Sequence, residues 1–352
     1  MSFDAVLLVS FGGPEAPDEV MPFLERVTEG RGVPRERLEV VAEHYYALGG
    51  ISPINEQNRH LIAALTRRLG ERGVDLPVFW GNRNSPPFLA DAVRSMHAAG
   101  HASALAVTTS AYPSYSGCRQ YRENVAAALA QTGLADAIDI RAAGPYFERR
   151  GFAQAVADEV VGATDEARRD GLREDEVVVL FTTHSIPVAM DQGAGPDESR
   201  PSAPPGAYAR AHLDVASAIM GDSTVPWRLV FQSRSGPPQV PWLEPDVNDA
   251  LREEAAAGRR RVIVAPIGFI SDHVEVVWDL DHEARQTAAE VGVQFVRLPT
   301  PGVHPAFVDM LVDVVVEARE LPAGRVASRC SSTCCRNPRA ERPVVPGLAP
   351  SE

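Results

Sequence analysis

The sequence predicts an α/β protein of two similar domains, each a four-stranded parallel sheet with helices on both faces. Three observations lead there. Short β-branched apolar runs recur along the chain and stop abruptly in polar or Gly/Pro-rich loops. Between them lie helix-length stretches rich in Ala, Leu, Glu and Arg. Strands that are apolar throughout and alternate with helices mark parallel sheets covered on both faces. The third observation is an echo between the halves. WGNRNSPPFLADAV and FQSRSGPPQVPWLEPDVNDAL share a strand end, an Arg, a Ser, a Pro-Pro turn and an acidic helix start, a weak internal repeat.

Taken in order, the first-half strands are AVLLVSFGGP, PVFWGNRNSPP, ALAVTTSAYPS and, more weakly, AIDIRAAGP. The opening MSFDAVLLVSFGGPE places Asp4 and no Lys or Arg before its short apolar run, so it reads as a strand and not as a signal peptide. Helical stretches include Ile62 to Arg72 and Phe152 to Arg168. The second-half strands are VVVLFTTHSIP, RLVFQSRSGPP, RVIVAPIGFIS and VQFVRLPTPG. A boundary near Gly151 gives domains of residues 1–150 and 151–320. Periodicity stops at about Pro322, leaving residues 321–352 as a Pro- and Ser-rich tail whose composition does not support folding unaided. Pro196 to Pro205 has the same character and reads as a surface excursion.

At 352 residues, two ordinary domains are the natural expectation. The net charge of −13 and the lack of a basic patch argue against nucleic acid and leave room for a cationic partner. Apolar runs fall short of the 18 or so residues needed to span a bilayer. The expectation is a cytoplasmic protein without an integral membrane segment.

In such folds ligands sit beyond the carboxyl ends of the strands. VVVLFTT runs directly into His184, with Pro187 closing the turn. RVIVAPIGFISD delivers Asp272, His273 and Glu275 to the same sheet edge. Neighbouring strands lie about 4.8 Å apart, so His184 and Glu275 would face each other across a small gap. Imidazole with carboxylate suits a borderline divalent ion such as Fe²⁺, and the same imidazole can act as a base. Glu275, Asp279 and Glu283 follow at four-residue spacing, which stacks them on one face of a helix. Like charges so placed repel. They are either a solvated acidic stripe or a relay that passes a cation or protons inward to Glu275.

LLVSFGGPE, YYALGGISPINEQ, SAYPSYSGCRQYRE, FTTHSIP, FQSRSGPPQVPWLEPDV and PIGFISDHVEVVWDLDHE occur in this order and cover the chain to about residue 318. In these motifs the chain resembles the ferrochelatases, in particular the coproporphyrin ferrochelatases of Gram-positive bacteria. The resemblance implies two Rossmann-like, chelatase-like domains around a porphyrin cleft. It implies Fe²⁺ and coproporphyrin III as substrates, with no nucleotide cofactor and transient contact with neighbouring enzymes of haem synthesis. Close alternatives are protoporphyrin IX as substrate, a cobalt or nickel chelatase of another tetrapyrrole, or a haem carrier without turnover.

By position, the resemblance makes His184 the metal-binding or proton-abstracting histidine and Glu275 its acidic partner. Asp279 and Glu283 become the line that guides metal or protons. Ser52, Tyr121, Trp242 and Phe11 become porphyrin contacts, with Ile51 a further wall residue. Phe11 stands where many relatives carry an iron-ligating Tyr, so that role does not transfer. Arg83, Arg119 and Arg122 are candidates for pairing with propionates, and His273 for a supporting role beside the site. Cys118, Cys330, Cys334 and Cys335 resemble the one internal and three C-terminal cysteines with which actinobacterial members hold a [2Fe–2S] cluster. Their C-x₃-C-C spacing alone matches neither a zinc ribbon nor a ferredoxin.

Overall fold

In the computed structural model, which describes residues 3–196, 200–320, 330–331, 333–337 and 339–348, all eight apolar runs become strands. β1 (Ala5–Ser10), β2 (Val78–Asn82), β3 (Ser103–Thr108) and β4 (Asp139–Ala142) form a parallel sheet ordered β2-β1-β3-β4. β5 (Val177–His184), β6 (Trp227–Gln232), β7 (Arg261–Ala265) and β8 (Gln294–Arg297) repeat the pattern as β6-β5-β7-β8. β1 is buried along its whole length and β5 as far as Thr183. That is why these strands are unbroken apolar runs and do not alternate.

A single core runs between the sheets. α3 (Ile54–Glu71), α6 (Arg150–Arg169), α8 (Ala207–Met220) and α12 (Pro305–Glu320) fill it, joining Leu8 and Val107 of one sheet to Phe181 and Ile263 of the other. Phe152 and Phe307 are fully buried there with ring centroids 6.1 Å apart. On the outer faces lie α4 (Leu89–Ala98) and α5 (Gln120–Thr132) on the first sheet, and α9 (Val247–Ala256) and α11 (Arg285–Val291) on the second. α1 (Val20–Val27) and α2 (Arg35–Ala47) form a separate cap around Phe23, Leu38 and Tyr45, which reaches Val274 of the second half. Shorter helices, α7 (Val188–Gln192) and α10 (Val274–Val276), follow β5 and β7.

The internal repeat is real in topology, but its turns align differently from the sequence echo. Asn82 bridges Phe88 just before α4, and Phe231 bridges Asp246 just before α9. The counterpart of Pro86-Pro87 is therefore Glu244-Pro245 and not Pro237-Pro238. Between strand and turn the second half carries residues 233–243 where the first has only 83–85, and this longer insertion builds part of the site described below.

The described residues of the tail pack against the first sheet. Ala142 bridges Gly347 in parallel, its N–H donating to Pro346 O at 3.0 Å while Leu348 N–H donates back at 3.0 Å. The tail thus covers the open edge of β4, which would otherwise expose unpaired backbone groups. Val345 and Leu348 are buried beneath it. The expected change of character at Pro322 falls in residues 321–329, outside the described residues, as do residues 197–199 of the expected excursion.

Candidate active site

The loop after β5 is pinned from several directions. Ser185 N–H donates to Gln232 O at 2.8 Å, Ser185 Oγ to Leu243 O at 2.8 Å, and Val188 N–H to Pro241 O at 3.0 Å. Pro187 bridges Trp242. Behind the loop, Thr183 Oγ1 lies 2.6 Å from the Tyr208 hydroxyl and 2.9 Å from His212 Nε2, and Tyr208 donates to His184 O at 3.0 Å. Burial pushes the His212 pKa down to about 3, so this imidazole is a neutral strut. Its Nδ1 faces Tyr208 O at 2.8 Å, which assigns the proton to Nδ1 and leaves Nε2 to accept from Thr183. Gly268 passes so close that a Cβ there would stand 2.1 Å from Thr183 Oγ1.

His184 is held in one orientation. Its Nδ1 lies 2.5 Å from Ser185 O, so Nδ1 carries the proton and Nε2 points to Glu275, 3.6 Å from Oε2. Burial alone would lower the His184 pKa, but the facing Glu275 carboxylate outweighs it and the net direction is upward. For Glu275, burial raises the pKa, and the His184, His273 and His44 imidazoles overcome that to bring it down to about 2. Although 44% of its side chain is open to the cleft, Glu275 is ionised at any working pH.

The acidic ladder winds unexpectedly. Val277–Ala284 is a π-helix set between α10 and α11, where uniform α-helical spacing was expected. Such insertions are rare and concentrate at functional sites. Asp279 accepts from Ser233 Oγ and, at 3.3 Å, from Gln232 Nε2. Burial, with Glu275 and Glu283 nearby, raises its pKa to about 7 in spite of the Ser233 bond. Glu283 is exposed and accepts from Trp278 Nε1 at 2.8 Å. Trp278 stacks on His44 of the cap with centroids 4.2 Å apart. Asp272, by contrast, is tied to Arg297 at 2.5 Å and belongs to the framework. His273 packs edge-on to Phe269, and burial lowers its pKa.

The expected porphyrin contacts fall into two groups. Phe11 packs edge-on to Phe23 with Arg83 5.4 Å above its ring, and Ile51 is 52% exposed, as a cleft wall requires. Trp242 lies against Gly236, where a Cβ would come 2.3 Å from Nε1, and its buried indole N–H has no hydrogen-bond partner. Ser52 and Tyr121 are buried, Ser52 against Gly13 and Tyr121 beneath the Arg83 guanidinium at 4.6 Å. Arg119 and Arg122 are not available to propionates. Both are buried, Arg119 against Glu123 at 3.2 Å and Arg122 on the carbonyls of Val345 and Ser331 at 2.9 and 3.1 Å.

The four cysteines are buried thiols, not joined in disulfides. Cys118, at the π-helical entry Tyr115–Arg119 to α5, clusters with Cys330 and Cys334, its sulfur 4.0 Å from that of Cys330. Cys334 Sγ accepts from Arg122 at 3.8 Å, and Cys335 Sγ from Gly195 N–H at 3.1 Å. Among the described residues, no group of three or more His, Cys, Asp or Glu side chains stands in metal-holding geometry.

Sequence reading missed Ser233 and Gln232, which sit in the QSRSG run immediately after a buried strand. Ser233 adopts φ +60, a left-handed conformation that turns the chain as it enters the insertion. The position beyond a strand end was the available signal. Among the described residues, no helix is long and apolar enough to cross a membrane.

The ferrochelatase family model matches residues 3–319. A coproporphyrin III ferrochelatase of Leifsonia xyli is 47% identical, over 99% of this chain and 95% of the relative. One from Streptomyces coelicolor is 46% identical, over 98% and 96%. A solved structure of SirB from Bacillus subtilis with Fe³⁺ superposes with a TM-score of 0.51 at 11% identity, covering 90% of this chain and 95% of that one, a likeness of fold.

Proposed function

The chain belongs to the ferrochelatase family, and from that premise we propose that it inserts Fe²⁺ into coproporphyrin III, with His184 as base and Glu275 as its partner. A metal chelatase is an enzyme that exchanges two pyrrole protons for a metal ion. The observation that carries the reading is the His184–Glu275 pair, 3.6 Å apart at the end of a buried strand, with Asp279 on the adjoining π-helix.

The chemistry follows from the two side chains. A pyrrole N–H bond breaks, its proton passes to the free Nε2 of His184, and the electron pair left on the pyrrole nitrogen binds Fe²⁺. His184 then gives that proton to ionised Asp279 or to water, and the neutral imidazole takes the second pyrrole proton in the same way. The imidazolium so formed stands beside an ionised Glu275, which stabilises the charge as it develops. Asp279, poised at about 7, exchanges protons near neutral pH, so it can carry them outward toward Glu283. Phe11, Ile51 and Trp242 supply the apolar walls against which the macrocycle is held.

An anaerobic assay with Fe²⁺ and free porphyrin, read by loss of porphyrin fluorescence, tests this. Coproporphyrin III should turn over faster than protoporphyrin IX, and His184→Ala should abolish turnover while porphyrin affinity stays within about tenfold. Tight binding of both porphyrins without turnover would make the protein a carrier.

The same reading gives the chain a [2Fe–2S] cluster held by Cys118, Cys330, Cys334 and Cys335. What supports this is the residue type and the burial of the four thiols, with Cys118, Cys330 and Cys334 in one cluster and the Arg122 guanidinium beside Cys334 able to offset negative charge, although the thiols do not stand in metal-holding geometry. When bound, the cluster supplies iron–thiolate bonds that tie the tail to the start of α5. Purified protein without absorbance between roughly 400 and 600 nm and without stoichiometric iron would overturn this. We also read the halves as domains meeting near Gly151, and the protein as cytoplasmic, where reduced thiols persist.

A further inference from the structure

The acids around the π-helix are held in two different ways. Asp272 is tied to Arg297 at 2.5 Å, and Asp281 to Arg285 and Arg297 at 3.6 and 3.9 Å. Their charges are neutralised within the fold. Asp279 and Glu283 are held instead by uncharged donors. Asp279 accepts from Ser233 and Gln232, and Glu283 Oε1 from the Trp278 indole N–H at 2.8 Å. Among the described residues neither of them makes an ion pair. An uncharged donor orients a carboxylate without cancelling its charge, whereas an arginine does both.

The bond to Glu283 depends on the winding. At 3.6 residues per turn, side chains five residues apart stand about 140° from each other around the helix axis. The π-helix Val277–Ala284 closes its backbone hydrogen bonds from i to i+5, which brings Glu283 round to the side of Trp278. The indole is itself fixed. His44 of α2 stacks on it at an interplanar angle of 8° with centroids 4.2 Å apart, and His282 stacks on it at 4.4 Å. Glu283 therefore stands one turn beyond Asp279, exposed, with its direction set by a residue that the cap holds in place.

We propose that Trp278 is a positioning residue for iron. It aims the Glu283 carboxylate with an uncharged donor, so that this carboxylate keeps its attraction for Fe²⁺ arriving from solvent, and His44 fixes the indole from the cap. This rests on the functional reading above and deepens it: the outer end of the acidic line receives the metal. It also gives the π-winding a purpose, since a regular α-helix would part Trp278 from Glu283.

The test is steady-state metallation under anaerobic conditions, with Fe²⁺ varied at saturating coproporphyrin III. Trp278→Phe keeps a ring for His44 to stack on and removes the donor, while Trp278→Tyr restores an uncharged donor on a similar ring. In Trp278→Phe the KM for Fe²⁺ should rise about fivefold, with kcat and the KM for porphyrin within about twofold of wild type. Trp278→Tyr should recover part of that loss. Glu283→Gln should raise the same KM, and adding Trp278→Phe to it should raise it no further, because two residues that act through one bond are not additive. A KM for Fe²⁺ within about twofold of wild type, equal rises in the Phe and Tyr variants, or additive losses in the double variant overturn the proposal. A fall in kcat at saturating iron with KM unchanged also overturns it, and assigns Glu283 to protons alone. So does a parallel rise in the KM for porphyrin, which would leave Trp278 only the docking of the cap. Wild-type protein that metallates neither coproporphyrin III nor protoporphyrin IX overturns instead the functional reading on which the proposal rests.

Discussion

His184 Nε2 and Glu275 Oε2 stand 3.6 Å apart, and each favours the charged form of the other. The consequence for pH is definite. Metallation needs neutral His184, so activity falls as pH drops through its raised pKa. Glu275→Gln removes the charge that lifts that pKa and leaves the burial that depresses it. The acidic limb of the rate profile should move to lower pH, and the maximum rate should fall by roughly tenfold or more. A limb that stays in place would show that another group titrates.

Asp279 is the rival for that limb, and its own signature is thermodynamic. Its folded pKa, about 7, lies above its ordinary 3.8. A group raised in this way contributes stability fully present below about 3.8 and lost as pH rises through about 7. Asp279→Asn stays neutral throughout. The variant should match wild type near pH 4 and exceed it by about 1–3 kcal/mol above neutrality, measured by denaturant unfolding across pH. Equal stability at both ends of the range would place Asp279 in a more solvated setting.

Much of this architecture was legible in the chain because burial on both faces writes itself as unbroken apolar runs, as in AVLLVS and VVVLFTT. His184 and Glu275 were legible as a pair because strand ends in parallel sheets converge on one edge. Other features were not. The π-helix at Val277–Ala284 depends on one extra residue per turn, which the four-residue spacing of the acids does not reveal. Arg119 and Arg122 looked available to propionates because nothing local shows that a tail more than 200 residues away will cover them. The repeated Pro-Pro misaligned the halves because a short motif carries less constraint than the bridges before α4 and α9.

Gly268 has a steric role that its backbone angle does not announce. A Cβ there would lie 2.1 Å from Thr183 Oγ1 and 2.7 Å from Thr183 Cα, so backbone must move and not merely a flexible side chain. Gly268→Ala should destabilise by about 1–3 kcal/mol. It should also reduce metallation, because Thr183 directly precedes His184. Gly162, inside α6 with open space around it, is the contrast, and Gly162→Ala should add about 0.5–1 kcal/mol. Thermal unfolding of both variants checks the pair, and a neutral Gly268→Ala would remove the steric argument.

Arg122 joins three parts of the chain with one planar group. Its guanidinium donates to Val345 O, Ser331 O and Cys334 Sγ while remaining 2% exposed, so it locks the end of the tail and the cysteine loop onto α5 together. Hydrogen bonds from a charged donor are individually stronger than neutral ones, and losing them leaves buried carbonyls without partners. Arg122→Ala should therefore cost about 2–4 kcal/mol and open the tail to proteolysis under native conditions. Arg122→Lys should rescue little, because a point charge cannot reach all three acceptors as a planar fork does. If the Ala variant kept both its stability and its resistance to protease, docking would rest on the burial of Val345 and Leu348 together with the backbone pairing at Ala142. Paired truncations at those two positions would then produce the loss that Arg122 did not.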